Sequence, residues 1–268
     1  MIDFDREKAK KHNILKKYNY LSGIQKLSNL LLENIKIKDF QINFNTKVIR
    51  MKEISQGKYE LFSPTESLGE FDDVIMGIPT PNALKILLNS EFLLETNPFP
   101  IEFKQFVPKN QYKMIFSLVI GFADSMDLDF YALINFDRAH AISWLSVENQ
   151  KNGHITDKNT TVLIMQTSDE FSRDLKQKKL DEKNIISMIK AEFFSILPDF
   201  KEKTVIFEDL TKWKYALPSS KLNSKFIEFL SGRNIHIIGD GVIGKGRIDG
   251  CMRTGIDLYE KIKVKFQD

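Results

Sequence analysis

The stretch from Asn234 to Gly255 constrains this chain more than any other. It reads Asn-Ile-His-Ile-Ile-Gly-Asp-Gly-Val-Ile-Gly-Lys-Gly-Arg-Ile-Asp-Gly-Cys-Met-Arg-Thr-Gly. An apolar run, Ile235 to Ile238, stops at Gly239-Asp240; Gly241, Gly244, Gly246 and Gly250 follow in quick succession, and an amphipathic tail ends the chain. Glycine is the residue used where a backbone must pass close to something and a side chain will not fit. A helix that begins just after such a turn points unpaired N–H groups outward and favours an anion there. The alternative is structural: a glycine-rich connection between a buried strand and a C-terminal helix.

Two fingerprints nearly fit. Gly239-Asp240-Gly241-Val242-Ile243-Gly244 is formally G-x-G-x-x-G, the dinucleotide signature. That motif starts its helix inside the glycine triplet, whereas Gly246 delays a helix here, and a second strand with its acidic residue would have to fit into Ile262 to Asp268. Gly239 to Lys245 also matches the first part of a phosphate-binding loop. The next residue is Gly246, where a Ser or Thr hydroxyl should ligate magnesium, and this excludes the nucleotide-hydrolase reading.

Composition narrows the remaining classes. The 268 residues suffice for one large or two modest domains. A hydrophobic content of 42% and a charged content of 28% are those of an ordinary globular protein. The net charge of +3 is spread along the chain and calls for no nucleic acid. The single cysteine, Cys251, rules out an internal disulfide and fits a reducing, cytoplasmic setting. It is expected in the final helix as a small packing residue. Met1 to Lys17 is highly charged without an apolar signal segment, and no stretch reaches the length that spans a bilayer. His12, His140, His154 and His236 are scattered without metal-ligand spacing. No G-x-S-x-G, H-E-x-x-H or C-x-x-C occurs.

Taken in order, the pattern predicts a charged lead-in to Lys17. A helix then opens with a capping box, Ser22-x-x-Gln25, with Ile24, Leu27, Leu30 and Leu31 on one face. Strands are expected at Ile42 to Phe44, Lys47 to Met51 and Tyr59 to Phe62, and a buried strand within Phe71 to Pro79. Thr80 caps the next helix, with Leu84, Leu87 and Leu88 inward. Phe92 to Lys109 is proline-punctuated and irregular. Tyr112 to Phe122 reads as a core strand, and Phe130 to Asn135, Ala141 to Val147 and Thr161 to Thr167 as further antiparallel strands. Glu182 to Leu197 is a helix with Ile185, Ile189, Phe193 and Ile196 on one face, closed by Pro198. Lys203 to Leu210 returns as a strand, and Lys225 to Leu230 is a short apolar segment.

Three blocks in this order resemble the renalase-like branch of the FAD-dependent amine oxidase superfamily. The first is Tyr20-Leu21-Ser22-Gly23-Ile24-Gln25-Lys26-Leu27, continued by Phe71-Asp72-Asp73-Val74-Ile75-Met76-Gly77-Ile78-Pro79-Thr80-Pro81, which looks like the family's "fDaVvlatPapqa". The second is Ile142 to Lys151 together with Trp213-Lys214-Tyr215-Ala216-Leu217-Pro218, similar to "W-r-Y-A-l-P". The third is Gly239-Asp240 through Gly255, which looks like the flavin-contacting "GD…G-g-R-v-e-G-a-…-S-G". Together they cover roughly Tyr18 to Val264.

The resemblance implies an α/β fold: an FAD/NAD(P)-binding, Rossmann-like domain in two segments, 1–88 and 203–268. An α+β substrate domain with an antiparallel sheet, 89–202, is inserted between them. It implies that Asp240 hydrogen-bonds the ribityl or pyrophosphate region of FAD, and that Gly239, Gly241 and Gly246 allow close backbone approach. Arg247 and Ile248 would open the helix aimed at the flavin. Val48 would offer backbone contacts near the adenine, and Ile78 and Pro79 would line the cofactor cleft. Trp213 and Tyr215 would approach the substrate side of the flavin ring. Each has a structural alternative: Trp213 and Tyr215 filling a core, Asp240 capping the next turn, Arg247 pairing with Asp249 or Glu260.

The family begins with a strand–G-x-G-x-x-G–helix unit that holds the FAD diphosphate, and the matching region here starts at about Tyr18 without it. Three readings stay open. One is an FAD-dependent oxidoreductase passing hydride from a reduced nicotinamide or an amine to flavin, with the N-terminal unit supplied by a partner polypeptide or an upstream gene segment. Another is a non-catalytic binding or scaffolding descendant that has lost FAD. The third is a fragment of a longer protein. No nucleic-acid or membrane partner is expected.

Overall fold

The computed structural model describes residues 2–3, 23–36, 40–93, 112–136, 138–151 and 159–266. The elements run β1 (Ile2–Asp3), α1 (Gln25–Glu33), β2 (Arg50–Ser55), β3 (Lys58–Phe62), β4 (Ser67–Phe71), β5 (Val74–Met76), α2 (Thr80–Leu88), β6 (Tyr112–Phe122) and β7 (Ala132–Ile134). They continue with β8 (Ile142–Val147), β9 (Thr161–Thr167), α3 (Asp169–Gln177), α4 (Glu182–Ile196), β10 (Val205–Pro218), α5 (Ser224–Ser231), β11 (Ile235–Ile237), α6 (Asp240–Ile243) and α7 (Ile248–Ile262). Short 3-10 turns lie at Glu148–Gln150, Pro198–Phe200 and Lys263–Phe266. The chain divides into two compact units: Met1–Phe40 with Met114–Lys214, and Gln41–Lys113 with Tyr215–Asp268.

The first unit is built on a six-stranded sheet in the order β1-β7-β8-β9-β6-β10. The β6–β9, β8–β9 and β7–β8 pairs are antiparallel, as the apolar runs predict, with Leu118 opposite Met165 and Leu145 opposite Met165. Alternate β6 residues, Phe116, Leu118, Ile120 and Phe122, point into one core with Leu145, Leu163 and Met165. Helix α4 closes that core with Ile185, Ile189 and Phe193 at a four-residue spacing, one apolar stripe of a helix. Its N-cap Asp181 accepts the Asn184 N–H at 2.8 Å, satisfying one otherwise open helix-start donor.

The second unit holds two smaller sheets. Strands β2, β3 and β4 form an antiparallel meander. Met51 and Tyr59 are fully buried in it, and the Tyr59 hydroxyl donates to the Arg233 carbonyl at 2.7 Å. Strands β5 and β11 pair in parallel, with Val74, Ile75 and Met76 opposite Ile235, His236 and Ile237. Val74, Met76, Ile235 and Ile237 meet Ala83 and Leu87 of α2 and Phe226 and Leu230 of α5 in the core of this unit.

Several elements differ from the sequence expectation. Ile42 to Phe44 is not a strand: both apolar side chains are exposed, so there is no half-buried surface to specify one. The Lys47 to Met51 expectation is displaced, since pairing with β3 begins only at Arg50. Phe71 ends β4 instead of opening the next strand, and only Val74–Met76 of that run pairs with β11. In α2 the buried residues are Thr80, Ala83 and Leu87, with Leu88 exposed. Helix α1 buries none of its residues, and the Ser22 capping box lies outside the described residues. The two compact units divide at 40/41, 113/114 and 214/215. The last of these falls inside β10, a strand that no glycine or proline interrupts before Pro218.

Candidate functional site

In the second unit, β5 and β11 run side by side and their C-terminal ends are held level, with Ile238 N–H donating to the Met76 carbonyl at 3.1 Å. Beyond β5 comes Gly77-Ile78-Pro79 and then α2; beyond β11 comes Ile238-Gly239-Asp240 and then α6. The region past the carboxyl ends of parallel strands is where α/β sheets place their ligands. Ile78 is exposed there and Pro79 half-buried. The N-cap residues of α2 and α7, Pro79 and Arg247, make no side-chain cap bond, but the Asp249 carboxyl in the first turn of α7 accepts backbone hydrogen bonds there.

Two glycines answer different needs. Gly239 has φ +112° and ψ −165°, a conformation open essentially to glycine alone. A Cβ on it would meet nothing within 4 Å, so what Gly239 leaves open is space. Its N–H is held by the Thr254 Oγ1 of α7 at 2.8 Å. Gly241 is the opposite case: a Cβ there would lie 2.1 Å from Thr80 Oγ1 and 2.8 Å from the Tyr112 hydroxyl. Its missing side chain lets α6 seat against Thr80 of α2 and against Tyr112. Gly246 likewise yields to packing, with a Cβ 2.3 Å from Leu217 Cδ2.

Asp240 opens α6, and its Oδ1 accepts the Tyr112 hydroxyl at 2.6 Å. Tyr112 is 4% exposed and stacks edge-to-face on Tyr215, centroids 5.7 Å apart. Burial, and the hydrogen bond given to Asp240, push the Tyr112 phenol up to about 12. Burial and the Asp240 carboxylate also raise the Cys251 thiol, which makes it a poor nucleophile. Cys251 sits half-buried in α7, in keeping with a packing role.

The structure thus brings together Ile78, Pro79, Gly239, Asp240, Gly241 and, through Tyr112, Tyr215. Gly246 lies against Leu217. Arg247 and Ile248 stand exposed at the start of α7, where Arg247 Nε donates to Asp249 Oδ1 at 3.0 Å. Val48 is half-buried just ahead of β2 and shares none of these contacts. Trp213, 52% exposed, belongs to the first unit and Tyr215 to the second. Sequence reasoning missed the Tyr112–Asp240 bond and the Thr80–Gly241 fit. Tyr112 reads as the first residue of an apolar strand and Thr80 as a helix cap, and nothing local links either to residues more than 120 positions away.

Chemically, the open backbone at Gly239 suits close approach of a flat group, while at the start of α7 the Asp249 carboxylate already takes backbone N–H groups. Among the described residues no His, Cys, Asp and Glu cluster could hold a metal, and no helix is long and apolar enough to cross a membrane. A surface cavity of about 360 Å³ in the first unit, lined by Lys183, Ile186, Lys190, Phe194 and Glu208 among others, includes none of the residues singled out above.

No protein-family model matches the sequence, and comparison with curated proteins finds no match. Solved structures do match. One is the Exiguobacterium sp. 255-15 protein assigned as a protoporphyrinogen oxidase, with TM-score 0.72 at 15% identity over 92% of this chain and 52% of that one. Another is reduced UDP-galactopyranose mutase, with TM-score 0.68 at 12% identity over 90% and 51%. A third is putrescine oxidase bound to putrescine, with TM-score 0.62 at 15% identity over 91% and 53%. At such identities the likeness carries the fold. The chain spans about half the length of these structures.

Proposed function

We propose that this chain carries the flavin-ring end of an FAD site in an oxidoreductase of renalase or amine-oxidase type. The observation that carries this reading is Gly239, which combines a glycine-only conformation with empty space at the end of a parallel strand, beside the fifteen-residue helix α7. FAD would supply the redox chemistry, accepting hydride from a reduced nicotinamide or an amine. The chain's own part is binding and orientation. Gly239 and the first turn of α7, at Arg247 and Ile248, lie against the cofactor, with Asp240 fixed in place by Tyr112. Ile78 and Pro79 line the cleft, Val48 offers backbone to the adenine end, and Trp213 and Tyr215 border the substrate side. The second unit serves as the core of the FAD-binding-type domain and the first as the substrate domain, in a cytoplasmic enzyme. The diphosphate end of the clamp comes from a separate polypeptide or an upstream gene segment.

A second reading, a scaffolding descendant without flavin, draws on one observation: Asp240 already accepts a hydrogen bond from Tyr112, and Gly241 and Gly246 are accounted for by internal packing. Flavin absorbance separates the two. The purified chain, alone and with candidate partners, is titrated with FAD. Yellow protein with a perturbed flavin spectrum that Gly239→Val abolishes supports the flavin site. Failure of every preparation to hold flavin rejects it.

A further inference from the structure

The sheet of the first unit ends on a long edge. Strand β10 stands last in the order β1-β7-β8-β9-β6-β10, so among the described residues one side of it carries no strand. Proteins ordinarily keep such edges short or break them with proline. The opposite edge, β1, is two residues long. Strand β10 runs for fourteen residues with no glycine, and its one proline is the last of them. Its residues 205–214 belong to the first unit. Residues 206–209 and 212–214 are exposed, Phe207 by 44% and Trp213 by 52%.

The two faces of this edge carry different chemistry. Phe207 and Trp213 are six residues apart and share one face, where the Phe207 ring fills the space left by Gly121 of β6; a Cβ there would lie 2.2 Å from it. Glu208 and Lys212 share the other face. Glu208 is paired with Lys190 of α4, and the Lys212 ammonium sits 5.6 Å from the centroid of the Phe116 ring.

The charges also have a direction. Glu208 and Asp209 come first, Lys212 and Lys214 last. A parallel copy laid alongside in register would set acid against acid and lysine against lysine. An antiparallel copy reverses the order. Alternate residues of a strand aim their backbone groups to opposite sides, so in a symmetric antiparallel pair even positions face even ones and odd face odd. With the two-fold axis at Leu210, Glu208 faces Lys212 of the second copy and Phe207 faces its Trp213. Each contact occurs twice. Opposite charges and aromatic pairs directly across are what stabilise neighbouring strands.

The flank of α4 points the same way. The cavity of about 360 Å³ is lined by Ile186, Lys190 and Phe194 of α4 together with Glu208 of β10, so it opens on this edge. A two-fold axis perpendicular to the sheet keeps both α4 helices on one face and turns that flank of one towards the same flank of the other, a self-complementary contact.

We infer that the chain forms a symmetric dimer by antiparallel pairing of β10 with β10 of a second copy. The result is one continuous sheet, six strands from each copy, with the two α4 helices side by side. Flavin plays no part in this contact.

The test is sedimentation of the purified chain over a concentration series, without flavin. The expected result is a reversible monomer–dimer equilibrium in which hydrogen exchange slows over residues 206–214 as the dimer forms. Glu208→Lys and Lys212→Glu each set like charges across both arms and should weaken the dimer at least about tenfold. Mixed together, these two variants should pair with about wild-type strength, because acid again faces base at both contacts. The double variant Lys190→Glu with Glu208→Lys keeps the bridge to α4 and takes its place in the mixture if Glu208→Lys alone does not fold. A chain that stays monomeric up to about 1 mM, a dimer indifferent to the reversals, or a mixture no tighter than its components overturns the inference. So does a dimer that leaves exchange at residues 206–214 unchanged.

Discussion

Helices α4 and α7 are both fifteen residues long and both amphipathic, yet α4 buries Ile185, Ile189 and Phe193 while α7 buries nothing. The difference lies in what each helix rests on. Helix α4 covers a sheet of six strands whose apolar side chains fill the space beneath it. Helix α7 meets a parallel sheet of two strands, and its apolar stripe is Met252, Ile256 and Tyr259. In the first unit the sheet and α4 close on one core, whereas in the second the stripe of α7 and Ile75 stay exposed. An amphipathic pattern tells that a helix has an apolar face. It does not tell whether the partner for that face lies in the same chain.

The comparison breaks most directly at Phe193. It is fully buried against Phe122 and Phe200, with ring centroids 6.1 and 5.4 Å away. Phe193→Ala should cost about 3–5 kcal/mol. Met252→Ala, on the apolar stripe of α7, should change the stability of the isolated chain by less than about 0.5 kcal/mol. Both tryptophans, Trp144 and Trp213, lie in the first unit, so denaturation followed by tryptophan fluorescence reads that unit directly. Similar costs for the two substitutions would mean that the units do not differ as described.

Within the second unit the largest effect is expected at Gly241. An added Cβ would meet Thr80 Oγ1 at 2.1 Å, and Thr80 is 1% exposed with little room to yield. Gly241→Ala should therefore cost about 1–3 kcal/mol through overpacking, seen as faster hydrogen exchange in α2 and α6. Full stability in this variant would show that α6 is not seated on Thr80 and Tyr112 as closely as the geometry has it.

How far these features were legible in the sequence follows the same contrast. The strands of the first unit and the buried face of α4 are readable because each carries its own periodicity and finds its partners in one core. The parallel pairing of β5 with β11 is not, since three-residue strands carry too little pattern to show direction or register. At the candidate site, Gly239 was legible as a backbone that must stay bare. The glycines around it carry the same letter for another reason, and only the positions of Thr80, Tyr112 and Leu217 separate packing from open space.

A smaller effect is expected from Tyr112→Phe, which deletes the donor to Asp240 and should cost about 1 kcal/mol at neutral pH. The pH dependence sharpens the test. Because the folded phenol is raised to about 12, the proton binds the folded state more tightly than the unfolded one, whose tyrosine titrates near 10. The stabilisation is thus fully present below about pH 10 and is lost as pH rises through about 12. The wild-type chain should lose stability across that window relative to Tyr112→Phe. Parallel curves for the two would mean that Tyr112 titrates normally and is not held by Asp240.

The smallest effect is expected at Arg247, where α7 begins. Its side chain is 69% exposed and its partner Asp249 is 73% exposed, so the pair contributes almost nothing to folding. The hydrogen bond from Arg247 nonetheless holds the Asp249 carboxyl below its ordinary range. Arg247→Ala should leave the melting temperature unchanged while Asp249 titrates at higher pH, followed by the side-chain carboxyl shift in NMR. The same variant tests the more open unit. If Arg247 lies against a flavin, affinity for FAD falls while stability does not. If affinity is unchanged, Arg247 serves only its neighbour, and any anion at this helix start is held by backbone alone.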